Sequence, residues 1–181
     1  MEKEEFKQQI LSMSEISLWL DTYDDIFSDF DPRPFTQRSL SVDFLDEIKR
    51  ASRDKVSGQI EIKFSIPNKQ RNIETELQIK KRLREHFKKH HSQLIEDKKK
   101  ISKTGFLIAS LGFFNMFLAI AIKSFVGETI LTTILTTLLE PSGWFMMFFG
   151  LDRVFYGVQV KQPELNFYEK MSKADISFIS Y

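Results

Sequence analysis

The stretch TGFLIASLGFFNMFLAIAI, residues 104–122, decides the fold of this chain of 181 residues, because none of its nineteen residues is charged. As an α-helix it would be about 29 Å long, which matches the hydrocarbon core of a bilayer. A second apolar stretch, TILTTILTTLLEPSGWFMMFFGL at residues 129–151, is interrupted only by Glu140. We therefore predict a transmembrane helical hairpin within residues 102–153.

A soluble protein could also bury such a hairpin inside a large core. A chain of 181 residues cannot supply a shell that hides two helices of this length, because small proteins bury too little of their surface. We therefore expect lipid rather than protein to cover the hairpin.

The orientation of the hairpin follows from the lysines that flank it. Four of them precede the first span, whereas only Lys123 lies between the spans. The four are Lys98, Lys99, Lys100 and Lys103. Since cytosolic flanks carry the excess of basic residues, we predict a two-pass protein of the cell membrane with both termini in the cytosol. The acidic residues 1–5 do not resemble a cleavable export signal, and the absence of cysteine fits a reducing compartment.

Residues 1–101 are predicted to form a cytosolic α/β region. Two segments, 16–20 and 60–66, alternate apolar residues with period two, which is typical of strands. Residues 41–53 have helical spacing at Val42, Leu45, Ile48 and Lys49, with Ser41 as a candidate cap. Residues 70–101 lack Gly and Pro and predict one long basic helix that runs towards the bilayer. Its predicted apolar stripe comprises Ile73, Leu77, Leu83 (or Arg84), Phe87 and Leu94.

The tail, residues 154–181, is expected to return to this region. Residues 163–173 predict a short helix and residues 175–181 (DISFISY) predict a strand. Two strands make only a marginal sheet, so a third strand from the tail would stabilise it. The predicted fold is an α+β membrane protein: a two-helix hairpin, a long juxtamembrane helix and one small cytosolic α/β layer built from both ends of the chain.

Small and polar residues recur every three or four positions in both spans and predict a helix-packing seam. In the first span these are Gly105, Ala109, Gly112, Asn115 and Ala119. In the second they are Thr133, Thr136 or Thr137, Glu140, Gly143, Met147 and Gly150. The two faces are expected to meet, either within one chain or between copies.

Glu140 and Asn115 lie near the middle of their spans, so we predict that they share one depth and form an intramembrane polar site. Two roles remain open for Glu140. It is either an ion or proton site in a pore, or a structural carboxyl beside backbone freed at Pro141, where Glu-Pro-Ser-Gly is typical of a helix restart.

Two cytosolic clusters suggest metal binding less strongly. Asp21, Asp24 and Asp25 could gather a hard cation, but a solvated turn tied to Arg33, Arg38 or the basic helix is the alternative. His86 and His90 have the spacing of metal ligands, although lysines surround them. The positive-inside pattern accounts for the basic helix, so we expect no nucleic-acid partner. We also expect no cofactor.

Residues 18–44 (LWLDTYDDIFSDFDPRPFTQRSLSVDF), 138–156 (LLEPSGWFMMFFGLDRVFY) and 163–176 (PELNFYEKMSKADI) resemble a group of uncharacterised prokaryotic two-pass membrane proteins. The resemblance implies prokaryotic origin, and it supplies no activity or site residue.

No Walker loop, dinucleotide fingerprint or nucleophile elbow occurs in the sequence, so we expect no enzyme. The first hypothesis is a homo-oligomeric ion channel or pore that the cytosolic region gates. The alternative is a membrane-anchored adaptor or sensor whose cytosolic region binds a protein or a small ligand. An enzyme that uses the aspartates with a metal is the third hypothesis.

Overall fold

The computed structural model describes residues 15–53 and 60–181, and it is mostly helical with one small sheet. The chain divides into two compact units. The sheet unit comprises residues 15–53, 60–92 and 166–181, and the hairpin unit comprises residues 93–165.

The sheet has three parallel strands in the order β1 (Glu15–Trp19), β2 (Glu61–Ile66) and β3 (Asp175–Ser180). Phe64 of β2 is in register with Leu18 of β1 on one side and with Phe178 of β3 on the other. The prediction that the tail adds a third strand is therefore confirmed. β3 closes a sheet whose other two strands come from the first 66 residues.

One face of the sheet forms the core of this unit. Because side chains alternate across a strand, Ile62, Phe64 and Ile66 all point to the same face, and each is fully buried. Phe178 adds its ring to Phe64, with centroids 5.2 Å apart. The opposite face carries the charged and polar residues that alternate with these apolar ones. One of them is Lys63, which forms an ion pair with Glu15 at 2.7 Å.

Helix α1 (Val42–Arg53) connects β1 to β2. Ser41 caps it, because its Oγ accepts from the amide of Phe44 at 3.5 Å. The buried side of α1 carries Phe44 and Ile48, whereas Val42 is exposed. The helix predicted over residues 41–53 is therefore present, and it is rotated so that Phe44 packs on Phe64. Before α1, residues Tyr23–Ile26 form a 3₁₀ turn, and a second such turn at Asn68–Gln70 follows β2.

Helix α2 runs without interruption from Ile73 to Val126, so the predicted basic helix and the first apolar span are one element of 54 residues. Its buried stripe in the sheet unit is Glu76, Ile79, Leu83 and Phe87. Ile73 and Leu77 were predicted on this stripe and are exposed instead. The stripe begins at Glu76 because that carboxylate has buried partners, as described below.

Helix α3 (Ile130–Asp152) is the second apolar helix, and Thr129 caps it by accepting from the amide of Thr132. The turn between α2 and α3 contains Gly127 at φ 80°, a left-handed conformation that favours glycine. A π-helical turn (Arg153–Gly157), a helical turn (Val158–Val160) and helix α4 (Gln162–Lys173) lead to β3.

Within residues 15–53 and 60–181, two helices are long and apolar enough to cross a membrane. They contain the stretches that the sequence predicts as spans. In the most apolar window of each helix only 17% of the residues are buried. The apolar surface of both helices is therefore mostly uncovered by the protein itself.

Candidate functional site

The two apolar helices contact each other along a line of glycines. A Cβ atom on Gly112 would lie 2.6 Å from the carbonyl oxygen of Gly143, and one on Gly143 would lie 2.9 Å from that of Gly112. A Cβ on Gly150 would collide with the backbone of Ala109 and lie 2.5 Å from the oxygen of Gly105. Only glycine allows backbones to approach this closely, so the predicted seam residues Gly105, Ala109, Gly112 and Gly143 line a contact within one chain.

An ion pair joins the two helices away from this seam. Nζ of Lys123 lies 2.5 Å from Oε1 of Glu140. Both side chains are about half exposed, at 53% and 45%. Between residues 104 and 151 the sequence has only three charged residues, and Lys123 and Glu140 are two of them, the third being Glu128 in the turn.

The predicted partnership of Glu140 and Asn115 is wrong. The amide of Asn115 lies 3.7 Å from the sulfur of Met146, whereas Glu140 pairs with Lys123. The reason is the direction of the side chains. Side chains lean towards the N-terminus of their helix, so Lys123 reaches inwards from the end of α2 while Glu140 leans towards the start of α3.

Pro141 lies inside α3, and the helix continues through it. The predicted helix restart is therefore wrong. Proline removes one backbone donor, and the hydroxyls nearby add bonds to carbonyls of the same helix. Ser142 donates to the carbonyl of Leu139 at 3.0 Å, and Thr137 donates to that of Thr133 at 2.7 Å. Glu140 is bonded to Lys123 rather than to the backbone beside Pro141.

The threonines of α3 divide between two surfaces. Thr132 and Thr136 are buried, and Thr136 donates to the carbonyl of Thr132 at 3.0 Å. Thr133, which was predicted on the packing seam, is exposed instead. At this position the buried threonine is Thr132 rather than the predicted Thr133, whereas Thr136, which was also predicted, is buried.

The acidic turn after β1 is held together by hydrogen bonds and ion pairs. The carboxylate of Asp25 accepts from the amides of Asp21 and Thr22, at 2.7 and 2.9 Å. Asp24 pairs with Arg38, and Arg33 holds the pKa of Asp31 well below its usual range. Among residues 15–53 and 60–181, no group of three or more His, Cys, Asp or Glu side chains is placed to hold a metal ion. The structure thus does not gather Asp21, Asp24 and Asp25 as ligands, and the arginine-tied turn describes this region.

A buried carboxylate fixes the start of α2. Glu76 accepts from the hydroxyl of Tyr23 at 3.0 Å and from Arg71 at 2.7 and 3.0 Å. Burial raises the pKa of Glu76, but the hydrogen bonds from Arg71 and Tyr23 outweigh burial and leave the pKa below its ordinary value. Sequence reasoning misses Glu76, because Tyr23 is 53 residues away and a lone glutamate on a charged helix carries no signal.

A cavity of about 230 Å³ lies between the basic part of α2 and the loop that precedes α1. Its lining consists of Ser39, Leu40, Arg82, His86, Lys89 and His90. The rings of His86 and His90 have centroids 4.3 Å apart, and His90 stacks on Tyr168 of α4. Nε2 of His86 is buried and has no hydrogen-bond partner among the described residues. The cavity wall is therefore basic, with one unsatisfied ring nitrogen.

Burial lowers the pKa of His86 to about 4, and the neighbouring charges of His90, Arg82 and Lys89 lower it in the same direction. His86 is therefore neutral at physiological pH. The predicted use of His86 and His90 as metal ligands would place a cation among these positive groups, which Coulomb repulsion disfavours.

The comparisons with known proteins add no relative. No family model, no curated protein and no solved structure matches the chain. The functional argument therefore depends on the residues described above.

Proposed function

We propose that this chain is a non-enzymatic integral membrane protein that crosses the cell membrane twice, with both termini in the cytosol. We further propose that copies assemble into an ion channel or pore that the cytosolic part gates. The uncovered apolar surface of the helices supports the first part. Aromatic side chains such as Phe106, Phe113 and Phe145 are more than half exposed there, and lipid would cover them.

The ion pair of Lys123 and Glu140 is the observation that carries the channel proposal. Charged groups within a bilayer are costly, of order 2.5–3.5 kcal/mol each on insertion scales, so they face protein or water rather than lipid. The pair is half exposed in the single chain, so a neighbouring copy or a water-filled path must cover it.

Homo-oligomers are required because two helices cannot enclose a path. The glycine seam is already occupied within one chain, since Gly112 and Gly143 contact each other there. Association would therefore use another surface, and the surface around Lys123 and Glu140 is the polar one. In the assembly these pairs would line the pathway or lie at the contact between copies.

The test combines flux with particle mass. Purified protein should form particles of several chains in detergent and should conduct ions in liposomes. Glu140→Gln should change the flux or its pH dependence while leaving the particle mass unchanged. Flux of the wild type equal to that of empty liposomes would reject the channel, and a monomeric particle would reject the oligomer.

Topology can be tested separately because the sequence contains no cysteine. Single cysteines at Asp29, Glu128 and Lys173 are all at exposed positions. Glu128 is preferable to its neighbour Gly127, whose φ of 80° would strain any side chain. An impermeant external reagent should label intact cells only at position 128. Labelling at 29 or 173 would overturn the proposed orientation.

The second candidate is a membrane-anchored adaptor or sensor. It is favoured by aromatic side chains on the open face of the sheet. Trp19 is 73% exposed and contacts Tyr181, with ring centroids 4.5 Å apart. Exposed tryptophan and tyrosine are typical of protein-binding surfaces. Trp19→Ala should leave flux unchanged in the channel and should abolish partner binding in the adaptor.

A further inference from the structure

We infer that the cavity between α2 and the loop before α1 binds a small anion that carries a phosphate group. The proposal concerns the sheet unit alone. It does not depend on whether the apolar helices conduct ions.

The first argument is charge. Arg82 and Lys89 line the cavity, and within the described part of the chain neither forms an ion pair with a carboxylate. Arg38, Arg71 and Arg84, by contrast, are all paired in this unit. Nε of Arg82 donates to the carbonyl of Arg38 at 3.0 Å, which orients the guanidinium and leaves its terminal nitrogens available. A planar guanidinium with free donors suits the oxygens of phosphate.

The second argument is hydrogen bonding. Nε2 of His86 is buried with no partner among the described residues, and a buried polar atom without a partner is costly. Ser39 also lines the cavity, and its hydroxyl accepts from Nη2 of Arg33 at 3.3 Å, which leaves its own hydrogen available to donate. A phosphate oxygen would accept from Nε2–H of neutral His86 and from the hydroxyl of Ser39. The ring nitrogen of His86 would then be satisfied.

The third argument is size. Pockets for drug-sized ligands measure roughly 300–1,000 Å³, so a cavity of about 230 Å³ is smaller than most of them. At roughly 30 Å³ per water, it holds one small anion with a few waters. A larger molecule could place only its phosphate group inside.

The test uses inorganic phosphate as the probe and the full chain purified in an uncharged detergent. Titration calorimetry should show saturable binding of one phosphate per chain. Lys89→Ala should raise the dissociation constant about tenfold, which is the usual effect of losing a hydrogen bond to a charged group. Arg82→Gln should raise it by a similar factor. If the Arg82 variant does not fold, the Lys89 variant still tests the site, because Lys89 is exposed and its replacement should not affect folding.

Lys88→Ala is the matched control, because Lys88 precedes Lys89 on the same helix and does not line the cavity. It should change the dissociation constant less than twofold. Equal weakening by both variants would show attraction to the general surface charge and would overturn the site. Absence of saturable binding by the wild type would overturn it as well.

The source of the phosphate group is settled by a second arm in vesicles. The phosphate titration is repeated in neutral phosphatidylcholine and in vesicles that also contain phosphatidylglycerol. If the headgroup occupies the cavity, the anionic lipid should weaken phosphate binding in the wild type and not in Lys89→Ala. Because phosphatidylcholine also carries a phosphate group, equal affinity in both vesicles and in the uncharged detergent identifies a soluble ligand.

Discussion

Nζ of Lys123 lies 2.5 Å from Oε1 of Glu140, which joins α2 to α3 across 17 residues of sequence. Lys123 is three residues from the end of α2, so its long side chain could turn outwards to water. It turns inwards to Glu140 instead. Glu140 is at the middle of α3, so in the proposed membrane orientation it would have no such route to water. Loss of the ion pair should therefore cost Glu140 more stabilisation than it costs Lys123.

This difference predicts an asymmetric response to mutation. Lys123→Met leaves Glu140 unpaired in apolar surroundings and should destabilise the hairpin by about 1–3 kcal/mol. Glu140→Gln should cost less, because Lys123 can then turn outwards. Thermal unfolding of the purified protein measures both. If Glu140→Gln proves the more harmful substitution, the pair is not what stabilises Glu140.

The glycine seam predicts a strong effect of a single methyl group. Gly150→Ala places a Cβ against the backbone of Ala109 and Gly105, which cannot move aside as a side chain would. Overpacking of this kind costs typically 1–3 kcal/mol, so the melting temperature should fall. Gly157→Ala is the matched control, because its nearest neighbour is the side chain of Ile101 at 3.1 Å. Equal melting temperatures for the two variants would argue against the close approach.

We predict from the packing of the sheet core that β3 is needed for the stability of the sheet unit. Phe178 is buried against Phe64 and Tyr23, with ring centroids 5.2 and 5.8 Å away. Phe178→Ala should cost about 3–5 kcal/mol, as for other buried phenylalanines. Ile179→Ala, one residue further and 43% exposed, should cost less than about 1 kcal/mol. Amide hydrogen exchange in β2 measures the difference, and unchanged exchange in Phe178→Ala would mean that β3 is loosely attached.

The pKa of His86 predicts a pH dependence of stability. His86 is neutral in the folded chain down to about pH 4, whereas in the unfolded chain it takes up a proton near its ordinary value of 6.5. Unfolding therefore binds a proton in this window, and stability should fall as the pH drops from 6.5 towards 4. Burial is the main cause of this lowered pKa, and the charges of His90, Arg82 and Lys89 lower it further, while the ring of Tyr168 also faces His86.

His86→Gln should flatten this part of the pH profile, and His91→Gln, outside the cavity, should leave it unchanged. Sulfate remains a dianion across the window and should reduce the loss, because a bound anion favours protonated His86. The measurement is the melting temperature between pH 4 and 7, with and without sulfate. Identical slopes for the wild type and His86→Gln would contradict the assignment to His86.

Period-two alternation predicts β1 and β2, and in β2 Ile62, Phe64 and Ile66 all face the core. The helix stripes were predicted less well, because their rotation is set by distant partners. Glu76 takes the place expected for Leu77, since Tyr23 and Arg71 satisfy its charge. The pairing of Glu140 was missed for a similar reason. Position along the sequence fixes only the depth of the backbone, whereas the length and direction of the Lys123 side chain decide the contact.

The order of the elements along the chain has a consequence for biosynthesis. β2 and β3 are adjacent in the sheet, yet both apolar helices lie between them in sequence. A ribosome therefore releases β3 only after it has made the entire hairpin. Until then the edge of β2 that accepts β3 remains unpaired, and such edges are sites of aggregation. The three-stranded sheet can therefore form only after both apolar helices have been synthesised.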